Sequence, residues 1–221
     1  MMLAWHFLSG DKRLGYDDGR LVEVGQTLEC EGEPVLCKNG MHGSVRLIDA
    51  LKYASSPVVC RVEIEGDIVE GDDKLCGRRR TVLWMLDATD ILHEFACQCA
   101  EDALALVEQP DERSVEAIEA KRKWLNDEIT DEELAAAWDA AEAVAGNAAL
   151  YAASAAAEAV SWAAASACAS AAAWAAARDA ASAAALASAW DAARADARAA
   201  ARDKQNERLT EMVMAAHEAT P

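Results

Sequence analysis

His6, His42, Ser44 and Tyr53 are the side chains of the N-terminal half whose chemistry reaches furthest. Imidazole exchanges protons near neutral pH, and a hydroxyl beside one can be activated as a nucleophile. His42 and Ser44 lie in Asn39-Gly40-Met41-His42-Gly43-Ser44, ahead of a predicted helix whose free amides would suit an anionic group. The stretch lacks the lysine of a P-loop and a full Gly-x-Gly-x-x-Gly pattern. Its plainer reading is a glycine turn with Ser44 as the helix N-cap. No acid partner is placed by spacing, so His42 and Ser44 do not make a triad, and spacing alone assigns no catalytic residue.

Two other clusters carry potential chemistry. His93 and Cys97 share a helical face, but Cys99 points roughly 160° away from Cys97. Zinc sites use tighter paired spacings, so buried thiols beside a helical histidine are expected, with no metal. Arg78-Arg79-Arg80 is the densest basic run. It could hold a phosphate or an acidic partner, although such a run is ordinarily a solvated turn.

Charge narrows the function classes. The chain of 221 residues carries 39 acidic against 21 basic residues, for a net charge of −18. A protein that tracks nucleic-acid phosphates would be repelled, so no direct nucleic-acid binding is expected. No cationic amphipathic stretch suggests an anionic membrane surface. Ala159 to Ala177 is uncharged and long enough to span a bilayer, but alanine and serine contribute little transfer energy, so no membrane span is expected. The N-terminus shows no basic region followed by an apolar run. Seven cysteines without scaffold spacing favour reduced thiols, and the expected location is cytoplasmic.

These residues must be positioned by an α+β fold: a small mixed domain over residues 1–109 and an alanine-rich all-α helical bundle or hairpin over 110–221. Strands are predicted at Leu3–Leu8, Val22–Leu28 and, most clearly, Val58–Ile64. Helical spacing covers Ser44–Ala54, Asp90–Val107 and Asp111–Asn126. Thr130-Asp131-Glu132-Glu133 is a capping box. Of 53 alanines, 35 fall between Ala143 and Ala201, and alanine has the best helix propensity. An unbroken helix from Asp131 to His217 would run roughly 130 Å, so breaks are expected at Gly146-Asn147, around Arg178 to Ser182 and near Asp203 to Asn206.

A four-residue repeat runs through this tract. Stepping by four from Trp138 to Arg202 meets no alanine, while the register from Ala137 to Ala201 is alanine except at Ser161. Such a step drifts about 40° per repeat on an α-helix, so the stripe winds around it. Close backbone packing with a right-handed supercoil, side chains facing different partners, and DNA repeat expansion without geometric selection all fit. The first two make Trp138, Trp162, Trp174 and Trp190 partner-binding residues, together with the acidic Asp131, Glu132 and Glu133. A homo-oligomer is expected.

The segments Gly40-Met41-His42-Gly43-Ser44, Asp49-Ala50-Leu51-Lys52-Tyr53-Ala54, Val58 to Gly66, Lys74-Leu75 and Arg80-Thr81-Val82-Leu83-Trp84 resemble an uncharacterised family of phage and actinobacterial genomes. The stretch from Trp124 to Thr130 before the alanine tract is similar to alanine-rich segments of bacterial immunity proteins. These resemblances imply a phage accessory protein, non-enzymatic and without a cofactor, that binds and inhibits or sequesters a host protein in the host cytoplasm. An acidic nucleic-acid mimic and a homo-oligomeric scaffold are alternatives. The same N-terminal texture also resembles the NAD-cradling half of ADP-ribosyltransferases. That resemblance implies NAD binding, with His6 on the nicotinamide ribose and His42, Ser44 and Tyr53 lining the pocket. Its catalytic glutamate finds no matching motif, although Glu63, Glu65 and Glu70 are candidates.

Overall fold

Burial alternates along the second half of Val58–Glu65, as a half-buried strand requires, and this strand organises the N-terminal region. The structure, a computed structural model, describes residues 1–15, 18–105, 112–142 and 193–220. They fall into two units: Met1–Ala88 with the residues from Val213 onward, and Thr89–Met212. Sheets in the first and helices in the second make a mixed α+β chain.

In the first unit, β1 (Met2–Leu8), β2 (Thr27–Glu29), β4 (Val58–Glu65) and β7 (Arg79–Asp87) form an antiparallel sheet in the order β1-β4-β7-β2. A smaller sheet has the order β3-β6-β5, from β3 (Met41–Gly43), β5 (Val69–Glu70) and β6 (Leu75–Gly77). Ala4, Leu8, Val62, Ile64 and Val82 of the large sheet share one apolar core with Met41 and Leu75 of the small one. Gly43 permits this approach, because a Cβ there would lie 2.9 Å from Ile64 Cδ1 and 3.0 Å from the Ala4 Cβ. The short helix α1 (Leu47–Leu51) is buried along its length and packs on β1. Trp84 meets Trp5 edge-on at 5.7 Å and stacks on His217 at 4.1 Å.

Several expectations are corrected. Val22 to Leu28 is not one strand, because Gly25 turns the chain at φ 80° and only Thr27–Glu29 pairs with β7. The helix expected from Ser44 to Ala54 is only Leu47–Leu51. Arg46, which makes no side-chain capping bond, occupies its N-cap, because Ser44 is drawn into a backbone bridge with Trp5 (2.7 and 2.9 Å). Arg78-Arg79-Arg80 is no solvated turn: Arg79 opens β7, and Arg80 is buried.

In the second unit, α2 (Thr89–Leu104), α3 (Glu112–Leu125) and α4 (Asp131–Glu142) pack in sequence. Ala117, Leu134 and Ala141 form the α3–α4 seam, with Trp124, Ile129 and Trp138 against it. Thr130 and Glu133 close the capping box: the Thr130 amide donates to Glu133 Oε2 at 2.9 Å, and the Glu133 amide to Thr130 Oγ1 at 3.3 Å. Arg122 of α3 clamps Glu94 and Glu101 of α2. Helix α5 (Ala193–Ala219) is continuous through Asp203–Asn206, where a break was expected. No glycine or proline interrupts it. Most of the four-residue repeat, and the breaks expected at 146–147 and 178–182, lie outside the described residues.

Lys121 is wholly buried in this unit, its Nζ without a hydrogen-bond partner and 4.1 Å from the centre of the Trp124 ring. Burial pulls its ammonium down to about 8. Holding that charge in the fold therefore costs stability below pH 8, and the cost fades as pH rises toward the ordinary value of 10.5. Lys121→Met should stabilise the chain at neutral pH by about 1–4 kcal/mol in chemical denaturation. The parent protein should gain stability between pH 8 and 10.5, while the variant gains none from this position.

Candidate functional site

The strand and loop that flank the inter-sheet core of the first unit leave a cleft of about 730 Å³. His6, His42, Ser44 and Tyr53 all line it. Each arrives by a different route. Strand alternation on β1 turns His6 to the same face as Ala4 and Leu8, opposite Cys60 of β4. β3 carries His42 opposite Cys76 of β6. The Trp5 bridge fixes Ser44, and Tyr53 follows α1.

Both imidazoles are held neutral. Burial pushes His6 well below its ordinary value of 6.5, and the Arg80 guanidinium and the His42 ring add to the effect. His42 is lowered first by burial, against a hydrogen bond to the Gly40 backbone, with Lys74 and Arg80 lowering it further. Its Nε2 accepts the Cys37 amide at 3.1 Å, which places the ring proton on Nδ1. The Tyr53 hydroxyl donates to Asp73 at 2.8 Å, and Lys74 Nζ lies 4.2 Å from its ring centre. Burial and the Asp73 carboxylate raise the phenol above its ordinary value. Tyr53 is therefore a ring to stack on, with its hydroxyl already committed.

Charge in the cleft runs against that of the chain. Arg13, Lys38, Lys74 and Arg80 line it, whereas Asp18 is its one carboxylate among the described residues. Arg20 binds Asp18 through two bonds of 2.6 and 2.7 Å. None of Glu63, Glu65 and Glu70 is among the lining residues, so the structure brings the histidines, serine and tyrosine together without a candidate glutamate. Arg80 is the site residue that sequence reasoning missed. Its signal was the Thr81-Val82-Leu83-Trp84 run, which marks a strand and so sends alternate arginines to opposite faces.

The partner-binding candidates lie elsewhere. Asp131, Glu132 and Glu133 are exposed in the first turn of α4. Asp131 accepts Trp124 Nε1 at 2.7 Å, and Glu133 serves the capping box. Trp138 is half-buried against the α3–α4 seam. Trp162, Trp174 and Trp190 lie outside the described residues. His93, Cys97 and Cys99 are buried in α2, and among the described residues no three metal-ligating side chains converge. No helix among them is long and apolar enough to cross a membrane.

The family model of a domain of unknown function (DUF7666) matches residues 10–94. The match takes in His42, Ser44, Tyr53 and Arg80 and leaves out His6, and it is consistent with an uncharacterised family. No curated protein and no solved structure matches the chain.

The lowered histidines set a pH dependence. Below about 6.5 the unfolded chain binds protons that folded His6 and His42 refuse. Their contribution is complete above that value and is lost as pH falls through the folded-state values. The melting temperature should fall on acidification below about pH 6.5, and His6→Gln should blunt the fall. Proton NMR should show neither ring titrating at its ordinary value.

Proposed function

We propose that the N-terminal unit binds an anionic nucleotide in the inter-sheet cleft, with NAD the form that its transferase-like features imply. The convergence of His6, His42, Ser44 and Tyr53 on one basic-lined cleft carries this reading. The volume falls within the range of about 300–1,000 Å³ usual for small-molecule sites. The residues present fit such a ligand: cations for phosphates, neutral imidazoles and Ser44 for ribose hydroxyls, and the Tyr53 face for a ring. When bound, NAD would supply a labile glycosidic bond to nicotinamide. The described lining offers no free carboxylate to assist its cleavage, which favours binding over group transfer. NAD and ADP-ribose should each bind saturably in calorimetry and alter tryptophan emission through Trp5 of the cleft. Tyr53→Ala should weaken NAD about tenfold, or ~1.4 kcal/mol. Absence of binding at millimolar ligand would sink the reading.

For the helical region we infer docking to a host protein in the cytoplasm, as part of a phage-borne accessory protein whose alanine-rich helices complete a bundle and self-associate. The exposed acidic first turn of α4 favours a basic partner surface. Affinity capture from bacterial lysate should then retain a protein at low salt, release it at high salt, and lose it with Asp131→Asn, Glu132→Gln and Glu133→Gln combined. Retention unaffected by salt or by the triple substitution contradicts this surface.

A further inference from the structure

Three consecutive arginines enter β7, and strand geometry separates them. Arg78 pairs with Asp67 at 2.7 Å, and Arg79 reaches Glu65 at 3.3 Å and Glu29 at 3.9 Å. Both are solvent-accessible. Arg80 points the other way, opposite Ile64 of β4, and is only 2 % exposed. Its Nη1 donates to the His42 carbonyl at 2.8 Å, its Nε is buried without an acceptor, and no carboxylate among the described residues pairs with it.

This distribution inverts what stability alone favours. Exposed ion pairs contribute little, whereas a buried charge without a counter-ion is costly. A chain with 39 acidic residues had ample carboxylates to place against Arg80, yet among the described residues none bonds it directly: Asp18, whose charge it feels together with that of Arg20, is held by Arg20. The neighbouring imidazoles of His6 and His42 are lowered and cannot neutralise it. Burial lowers even the guanidinium, to about 10. The side chain nevertheless lines the cleft, on whose walls Lys38, Lys74 and Arg13 add positive charge.

We propose that Arg80 is the anion-coordinating residue of the cleft, and that it receives a phosphate or pyrophosphate group of the ligand. A guanidinium presents a planar fork of donors that matches phosphoryl oxygens, and a multiply charged group compensates several cations at once. The inference deepens the nucleotide reading, on which it rests for the choice of NAD, but the phosphate site stands on Arg80 alone.

The test uses the full chain with inorganic pyrophosphate, malonate, ADP-ribose and NAD as separate probes, in calorimetry and thermal unfolding. Pyrophosphate should bind and raise the melting temperature, and malonate should do neither. Arg80→Gln should lose the pyrophosphate shift and weaken ADP-ribose at least tenfold. Arg80→Lys, which keeps the charge without the fork, should fall between, and Arg79→Gln should match the parent. Because Gln removes an uncompensated charge, the ligand-free Arg80→Gln protein should melt no lower than the parent's melting temperature by more than the loss of one hydrogen bond explains. Should it fail to fold, the Lys variant and the salt dependence of the parent decide. Pyrophosphate binding lost in the variant, with NAD unbound throughout, keeps the phosphate site and removes the NAD assignment. NAD binding equally to parent and Arg80→Gln overturns the role of Arg80 and leaves the NAD reading standing. No binding of pyrophosphate or ADP-ribose by the parent, or malonate binding as tightly as pyrophosphate, overturns the phosphate site.

Discussion

The two sheets of the N-terminal unit meet where there is no room for a side chain. A Cβ on Gly77 would lie 2.6 Å from Ile64 Cγ2 and 2.7 Å from the Glu65 carbonyl, and one on Gly43 would strike Ile64 and Ala4. Closely packed interiors do not yield to such intrusions, so the glycines fix the distance between β3–β6 and β1–β4. That distance sets the site. It brings the His42 backbone within hydrogen-bonding reach of Arg80 and lets His6 and His42 feel each other's rings. The cleft is what remains at the flank of this contact.

Electrostatics follow from the same packing. Water is displaced from one side of His6, His42 and Arg80, and each is driven toward its neutral form. The imidazoles can comply within the physiological range, but the guanidinium stays charged. The result is a permanent cation beside neutral hydrogen-bonding rings, with the Asp18–Arg20 pair the further charges that it feels. That the rest of the chain is strongly acidic sharpens the point, because four cations gathered at one cleft cannot be ascribed to average composition.

How much of this was legible depended on whether the signal was local. β4 was readable because β-branched residues dominate it and alternate in its second half, between Pro57 and Gly66, and β1 because a largely apolar run ends at Ser9-Gly10-Asp11. The candidate set of His6, His42, Ser44 and Tyr53 was readable from the glycine-flanked loop and from a family texture. Arg80 was not, since three identical residues in a row carry no mark of which one faces inward until the strand register is known. Ser44 misled for a related reason: its hydroxyl suits an N-cap, but the backbone bridge to Trp5 took the residue, and the helix begins only at Leu47, with Arg46 as N-cap. The capping box at Thr130–Glu133 needed no tertiary information, and it formed as expected.

The two buried cations show why burial alone does not define a site. Lys121 and Arg80 are both almost wholly inaccessible, both hold an orphaned nitrogen, and both are lowered by desolvation. Lys121 has a substitute for a counter-ion in the electron-rich face of Trp124, with the Asp131 and Asp90 carboxylates opposing its shift. It opens onto neither described cavity and can give up its proton within reach of ordinary pH. Arg80 has, among the described residues, no aromatic face over it and no carboxylate bonded to it, since Asp18, whose charge it feels, is held by Arg20; it has no accessible neutral state, and it alone of the two borders a cleft large enough for a ligand. A charge that the fold leaves without a bonded counter-ion at the edge of an open volume is the observation on which the proposed phosphate site rests.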